Sequence, residues 1–271
     1  MGLESAALAD SRDAGYKEYI RGNWQLAWEP LPEEKALTLF INGQEIVTIM
    51  CTPEKLNCLV VGFLCSEGFI CGMKDIETMR ICPDESVADI RLKAKEIILP
   101  KKRILNSGCG GGQSFELGEG LEPVRSSFSA SPEQVLSSVQ KLLQEDADQG
   151  QNGRRKGMHR SALTDGRELF VVAEDIGRHN TIDKVWGECI LRKIPTAGRI
   201  LVTTGRISSD MLIKAAKMGV PLVASLNSAT SRAVELGARL GVTVVGYARG
   251  SRCSVFCDEK RLEVSPSFEN H

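Results

Sequence analysis

The sequence predicts an α/β protein with a larger α/β domain over residues 126–271 and a smaller α+β domain over residues 24–105. In the larger part, short apolar runs alternate with helical segments of about a dozen residues, the pattern of a βαβ sheet with helices on its faces. In the smaller part, two apolar runs flank Asn42-Gly43 and a helical pattern follows. Between the two lies a glycine-dense stretch, residues 106–125. It runs Asn106-Ser107-Gly108-Cys109-Gly110-Gly111-Gly112-Gln113, with Gly118 and Gly120 after it. Ordering so many glycines in a helix or strand costs too much backbone entropy, so this stretch reads as a loop.

Residues 1–23 are polar and lack a period, and read as a flexible N-terminal arm. Residues 36–40 and 45–50 form a hairpin, because Asn42 and Gly43 both tolerate the positive φ of a type I′ turn. Thr52 is expected to cap a helix that opens with Pro53 and runs to Cys65. Residues 79–81 and 87–92 complete this part as strands. In the larger part, Ser131-Pro132-Glu133 opens a helix to Gln144, and residues 150–157 are a polar loop. Strands 158–163 and 168–173 meet at Asp165-Gly166. Helix 180–192, strand 200–204, helix 209–218, strand 221–225, helix 231–240, strand 242–248 and strand 254–264 follow.

Composition excludes several function classes. Lys+Arg total 34 and Asp+Glu 35, a net charge of −1, so bulk charge points to neither nucleic acid nor an acidic membrane surface. The most apolar stretch, residues 58–73, is broken by Glu67 and is too short for a span. The first twenty residues carry charges and no apolar core, so no signal peptide is expected and the expected address is cytoplasmic. Nine cysteines, an odd number with no C-x-x-C, argue against a disulfide framework. With only His159, His179 and His271 available, no zinc site is expected either. Most of the thiols read as small core residues.

Four places carry candidate chemistry. Cys109 is the one cysteine set among glycines, whose exposed N–H groups can stabilise a thiolate or persulfide. The competing reading is a linker that happens to hold a thiol, although an exposed thiol is a liability. Glu174-Asp175-Ile176-Gly177-Arg178-His179-Asn180, with Asp183 and Lys184, sits where a strand hands over to a helix. There Arg178 suits phosphate or persulfide, His179 can move a proton near neutrality, and Asp175 could orient either. Thr203-Thr204-Gly205-Arg206 with Ser208 and Ser209 resembles an anion site at a helix start, though plain capping accounts for it equally well. Tyr247-Ala248-Arg249-Gly250-Ser251-Arg252 places two arginines about a turn, suited to a nucleotide phosphate or equally to solvent. His159, in a strand pattern, reads as structural.

From about Glu29 to Leu262 the chain resembles the FdhD family, the accessory sulfurtransferases of formate dehydrogenase. The marks are Asn42-Gly43, Thr52-Pro53, Gly62-Phe63, Ser66-Glu67-Gly68, Gly108-Cys109-Gly110, Met158-His159, Ala162-Leu163, the run from Glu174 to Lys184, Thr204-Gly205-Arg206, Lys214-Ala215-Ala216, and Arg249-Gly250 with Arg252. The resemblance implies a three-layer cytidine-deaminase-like core, a homodimer, and a persulfide accepted from a cysteine desulfurase. It also implies delivery of the sulfur to bis-molybdopterin guanine dinucleotide, the molybdenum cofactor, as a bound substrate for formate dehydrogenase. It makes Cys109 the sulfur-carrying residue and the segment Tyr247, Ala248, Arg249, Gly250, Ser251, Arg252 the cofactor-binding one. It adds Thr204, Gly205, Arg206, His179, Arg178 and His159 as further site residues, with roles assigned by chemistry alone.

One departure stands out. Some members carry C-x-x-C at the cysteine loop, and here Gly112 takes the second position. A persulfide passed between two neighbouring cysteines is therefore not expected, whereas one on Cys109 alone is. A second function class is a chaperone that holds the cofactor without moving sulfur. A zinc deaminase needs H-x-E and P-C-x-x-C, and neither occurs.

Overall fold

In the computed structural model, residues 13–82, 84–94, 104–105, 113–114, 120–144, 157–258 and 260–263 are described. Cys109 and most of the glycine-dense stretch lie outside them, as does the polar segment 150–156. The chain begins with an antiparallel ribbon, β1 (Asp13–Ile20) and β2 (Asn23–Pro30), where the sequence suggested a flexible arm to residue 23. Tyr19 and Trp24 pair across the strands and Trp28 covers Gly15, a tertiary signal that the polar N-terminal composition conceals.

The small part is a four-stranded sheet in the order β4-β3-β6-β5, built from β3 (Lys35–Ile41), β4 (Gln44–Cys51), β5 (Ile76–Cys82) and β6 (Val87–Leu92). Asn42 and Gly43 turn β3 into β4 with φ of 51° and 82°, as a type I′ turn requires. Helix α1 (Leu56–Ser66) covers one face of this sheet. It starts after Lys55, which is left-handed at φ 52°, rather than at a Thr52 cap. The Thr52 hydroxyl is committed elsewhere, as described below. Two short strands, β7 (Ile104–Leu105) and β8 (Gln113–Ser114), pair with each other.

The large part is a six-stranded sheet in the order β10-β9-β11-β12-β13-β14. Its strands are β9 (His159–Thr164), β10 (Leu169–Asp175), β11 (Ile200–Thr203), β12 (Leu222–Ser225), β13 (Thr243–Arg249) and β14 (Arg252–Cys257). The middle three strands are parallel and the flanking pairs antiparallel. Helix α2 (Pro132–Gln144) lies on one face; α3 (Arg178–Arg192), α4 (Ser209–Lys217) and α5 (Ser231–Leu240) lie on the other. Along β11, Leu201 faces the three-helix side while Ile200 and Val202 face α2. Both faces are covered, which is why the central strands read as unbroken apolar runs.

Caps follow the sequence signals. Ser131 and Gln134 cap α2 reciprocally: the Gln134 N–H donates to Ser131 Oγ at 3.3 Å and the Ser131 N–H to Gln134 Oε1 at 2.8 Å. Ser208 and Thr230 cap α4 and α5, and Gly241 closes α5 in the left-handed region. Among the described residues no helix is long and apolar enough to cross a membrane.

The two parts meet where α1 crosses α3. A β-carbon on Gly62 would lie 1.8 Å from the Asp183 carbonyl oxygen, and one on Gly187 would lie 1.9 Å from that of Cys58. The helices thus touch backbone to backbone, and Trp186 and Ile190 of α3 pack into the core of the small part. Gly62→Ala must push the helices apart, and we expect a loss of about 3 kcal/mol, typical of strong overpacking. The expected readout is a lower urea midpoint at unchanged slope. A change below about 0.5 kcal/mol, the level of a neutral surface substitution, would refute the close crossing.

Candidate functional site

Topology brings nearly all the sequence-predicted residues to one edge of the large sheet. Because β11, β12 and β13 run parallel in register, their carboxyl ends share that edge. His159 opens β9 opposite Asp175, which ends β10, and both lie beyond the Thr203–Ser161 pair at the same edge. Helix α3 starts there, so Arg178 and His179 join His159, Thr204, Gly205 and Arg206. In open α/β sheets this edge is the place for ligands.

The turn after β11 is held from several sides. The Thr204 N–H donates to the Arg160 carbonyl at 2.9 Å, and the Arg160 N–H donates to Thr204 Oγ1 at 3.0 Å. The Gly205 N–H donates to Thr203 Oγ1 at 3.2 Å, and Ser225 Oγ donates to the Gly205 carbonyl at 2.7 Å. A β-carbon on Gly205 would sit 2.9 Å from Arg178 Cβ and 3.5 Å from His159 Nδ1, so the glycine is what lets these side chains close over the turn.

Asn227 links this turn to the next one. Its side-chain amide donates to the Thr204 carbonyl at 2.8 Å, its N–H donates to Ser225 Oγ at 2.9 Å, and its carbonyl accepts from the Tyr247 N–H at 3.0 Å. Tyr247 is left-handed at φ 50°, and its half-exposed ring leans on Phe256 at 6.0 Å between centroids. Arg249, Gly250, Ser251 and Arg252 are exposed at the β13–β14 turn, and Arg206 is exposed beyond β11. Ala248 instead is fully buried in the core under α2, a packing position. Three exposed guanidinium groups and a ring on one edge suit a phosphorylated ligand with a planar base.

The imidazoles lie deeper. His179 Nε2 is 3.1 Å from Ser208 Oγ and 3.5 Å from Asp210 Oδ2. Burial pushes its pKa down to about 4, against the pull of Asp210. His159 is lowered from its ordinary value by burial and by Arg178. Both rings are therefore neutral at neutral pH and can accept a proton at the edge.

Asp175 orients neither Arg178 nor His179. Its Oδ2 accepts from the Thr52 N–H and hydroxyl, each at 3.1 Å, and pairs with Lys184 at 2.7 Å. Its Oδ1 accepts from the Gly177 N–H and the Asn180 amide, each at 2.8 Å. Lys184, fully buried, also donates to Thr52 Oγ1 at 2.7 Å and to the Glu174 carbonyl at 3.1 Å. This is a brace from the small part to the first turn of α3. Behind it, Lys214 pairs with Asp183 at 2.6 Å.

Five of the eight described thiols are poorly prepared for nucleophilic work. Burial pushes Cys51, Cys65 and Cys189 up to about 12, and raises Cys58 and Cys253. Cys109, the predicted sulfur-carrying residue, lies outside the described residues, between β7 and β8 in sequence. Sequence reasoning included Asp210 in the run after Arg206 but missed Ser225 and Asn227. Ser225 ends β12 and Asn227 stands in an ordinary strand-to-helix loop, so only the fold marks them.

The His179 shift has a signed consequence. The unfolded chain, with its histidine near 6.5, binds the extra proton between pH 6.5 and about 4, so folding stability falls as pH drops through that window and is flat above it with respect to this group. We expect His179→Gln to remove a component of a few kcal/mol from the acid side of the stability profile, measured by urea melts. Identical profiles for the two proteins would mean that His179 is not held neutral.

The model of the FdhD/NarQ family matches residues 32–263. The chain is 35% identical over 253 residues to the sulfur carrier protein FdhD of Bacillus pumilus, covering 90% of this chain and 95% of that one. It is 33% identical over 250 residues to the protein of that name from Bacillus subtilis, covering 90% and 94%. It is 34% identical over 235 residues to the one from Staphylococcus aureus strain MRSA252, covering 84% and 88%. A crystal structure of a candidate formate dehydrogenase accessory protein from Desulfotalea psychrophila superposes with a TM-score of 0.72 at 25% identity, covering 93% of this chain and 98% of that one. With a family match across most of its length and full-length relatives at about one-third identity, this chain belongs to the FdhD/NarQ family.

Proposed function

We propose that this protein carries sulfur as a persulfide on Cys109, from a cysteine desulfurase to the molybdenum cofactor that formate dehydrogenase needs. The observation that carries the proposal is the convergence of two neutral imidazoles and three exposed arginines on one sheet edge, in a chain whose relatives are named sulfur carrier proteins. The cytoplasmic setting, the homodimer and the likeness of the six-stranded core to cytidine deaminases belong to the same proposal.

In this reading, the Cys109 thiolate attacks the outer sulfur of the donor persulfide. The donor S–S bond breaks, and the donor cysteine leaves as a thiolate. The substrate, bis-molybdopterin guanine dinucleotide, lies along the edge with its phosphates on Arg206, Arg249 and Arg252 and its guanine against Tyr247. Handing the sulfur to molybdenum as sulfide takes two electrons. A thiol supplies them as it forms a disulfide with the Cys109 sulfur. Gly112 occupies the place of a second loop cysteine, so this thiol comes from outside the loop, on a small molecule, a partner protein or elsewhere in this chain. His159 and His179 take up or return the protons.

Intact mass after incubation with a cysteine desulfurase and cysteine, without reductant, tests the carrier. The wild type is expected to gain one sulfur atom and Cys109→Ala none. No gain, or an equal gain on both, would overturn the role of Cys109. Retained support of formate dehydrogenase by Cys109→Ala would favour the cofactor chaperone instead. For the edge, Arg249→Ala is expected to weaken binding of guanosine diphosphate about tenfold by calorimetry, the worth of one charged hydrogen bond. Unchanged affinity would remove that arginine from the phosphate site.

A further inference from the structure

We propose that the β1–β2 ribbon is a dimerisation arm whose occupant is the same ribbon of a second copy of this chain. The inference rests on the homodimer proposed above and names its interface.

The register sorts the ribbon into two faces. Gly15 opposite Trp28, Lys17 opposite Leu26 and Tyr19 opposite Trp24 share one face. Tyr16 opposite Ala27, Glu18 opposite Gln25 and Ile20 opposite Asn23 share the other. From Gly15 to Tyr19 the first face is apolar apart from Lys17, and Asp13 opposite Pro30 continues its register at the far end. Trp28 lies over Gly15, where a β-carbon would meet the indole at 2.7 Å, and the Tyr19 and Trp24 rings stand 5.1 Å apart. The second face is more polar, with Gln25 donating to Glu18 at 3.1 Å.

Among the described residues nothing covers the apolar face. Tyr19, Trp24, Leu26 and Trp28 are 60%, 69%, 70% and 69% exposed. Among the same residues the ribbon belongs to neither of the larger sheets, and no other strand or helix packs broadly against it. A lone two-stranded ribbon is marginal in water, and a continuous apolar patch of this kind marks an interface.

Size and chemistry select the occupant. Each aromatic side chain offers about 150–250 Å² when fully covered, so three that are two-thirds exposed, with Leu26, present roughly 400–600 Å². Two copies face to face cover about 800–1,200 Å², the lower end of specific interfaces. Among its described side chains the patch carries a single charge, Lys17, and so offers little to a highly charged partner. An open recess lies beside Lys17, Trp24, Gln25 and Leu26, where a side chain of the facing ribbon can lodge. An isologous pairing of this kind closes on itself.

Sedimentation velocity and tryptophan emission of the full chain over a dilution series test the proposal. The wild type is expected to dissociate on dilution, with a red shift of Trp24 and Trp28 as they meet water. Trp24→Ser and Trp28→Ser should each weaken the dimer at least about tenfold, with the thermal midpoint of the body unchanged. A double variant that dimerises as tightly as the wild type would overturn the ribbon interface and leave the homodimer standing. A monomeric wild type at high concentration would overturn both. In that case blue emission would point to cover from the same chain, and red emission to a different partner.

Discussion

The contact between Asp175 and Lys184 is the constraint on which the site depends. Both side chains are out of water, and the carboxylate is saturated by Thr52, Gly177, Asn180 and the ammonium group. Removing two charges from solvent costs about as much as their attraction returns, so the pair is better understood as a register pin than as a source of stability. Thr52 follows β4, Asp175 ends β10, and Lys184 lies two turns into α3. Their meeting fixes where α3 begins relative to both sheets, and Arg178 and His179 are the first two residues of α3.

The helix crossing completes that fixation. The pin sets α3 at one end, and the Gly62 and Gly187 contacts set its distance from α1 along its length. Backbone contact leaves no side chain between the helices to adjust, so α3 moves only with the whole small part. The same logic recurs at the edge itself, where Gly205 admits Arg178 and His159 to the turn. Across both scales, an absent β-carbon is what permits close approach.

Electrostatically the edge is layered. Exposed guanidinium groups lie outermost, screened by water. Neutral imidazoles lie beneath, and the buried Asp183–Lys214 and Asp175–Lys184 pairs lie deepest. Because the deep charges are already paired, the positive character of the described edge belongs to the exposed Arg206, Arg249 and Arg252. Asn227 holds the two arginine-bearing turns in one arrangement through three hydrogen bonds, so the spacing of the outer layer is set by a residue that carries no charge.

Much of this was legible in the chain. The Asn42-Gly43 turn, the capped helix at Ser131, the alternation of strands and helices after residue 158, and the polar runs at the strand ends follow from local backbone preferences and from periodicity, which are short-range. Residues 174–180 read as a site because a strand visibly ends there. What the sequence could not settle depended on which distant atoms meet. Thr52 looked like a helix cap because a cap is the commonest local use of such a hydroxyl, yet an aspartate 123 positions away claims it. Asp175 looked like a partner for its neighbours in sequence and instead serves the other part of the molecule. Ala248 read as part of a binding turn, but strand alternation turns it into the core. The N-terminal segment looked shapeless because its apolar residues are few and sparse along the chain, and they form a continuous face only when two strands pair. By itself the sequence determined the elements and the residue types at the strand ends. The tertiary structure alone decided which of those residues stand open at the sheet edge and which are spent on holding the fold, because that choice is made by contacts across more than a hundred residues of chain.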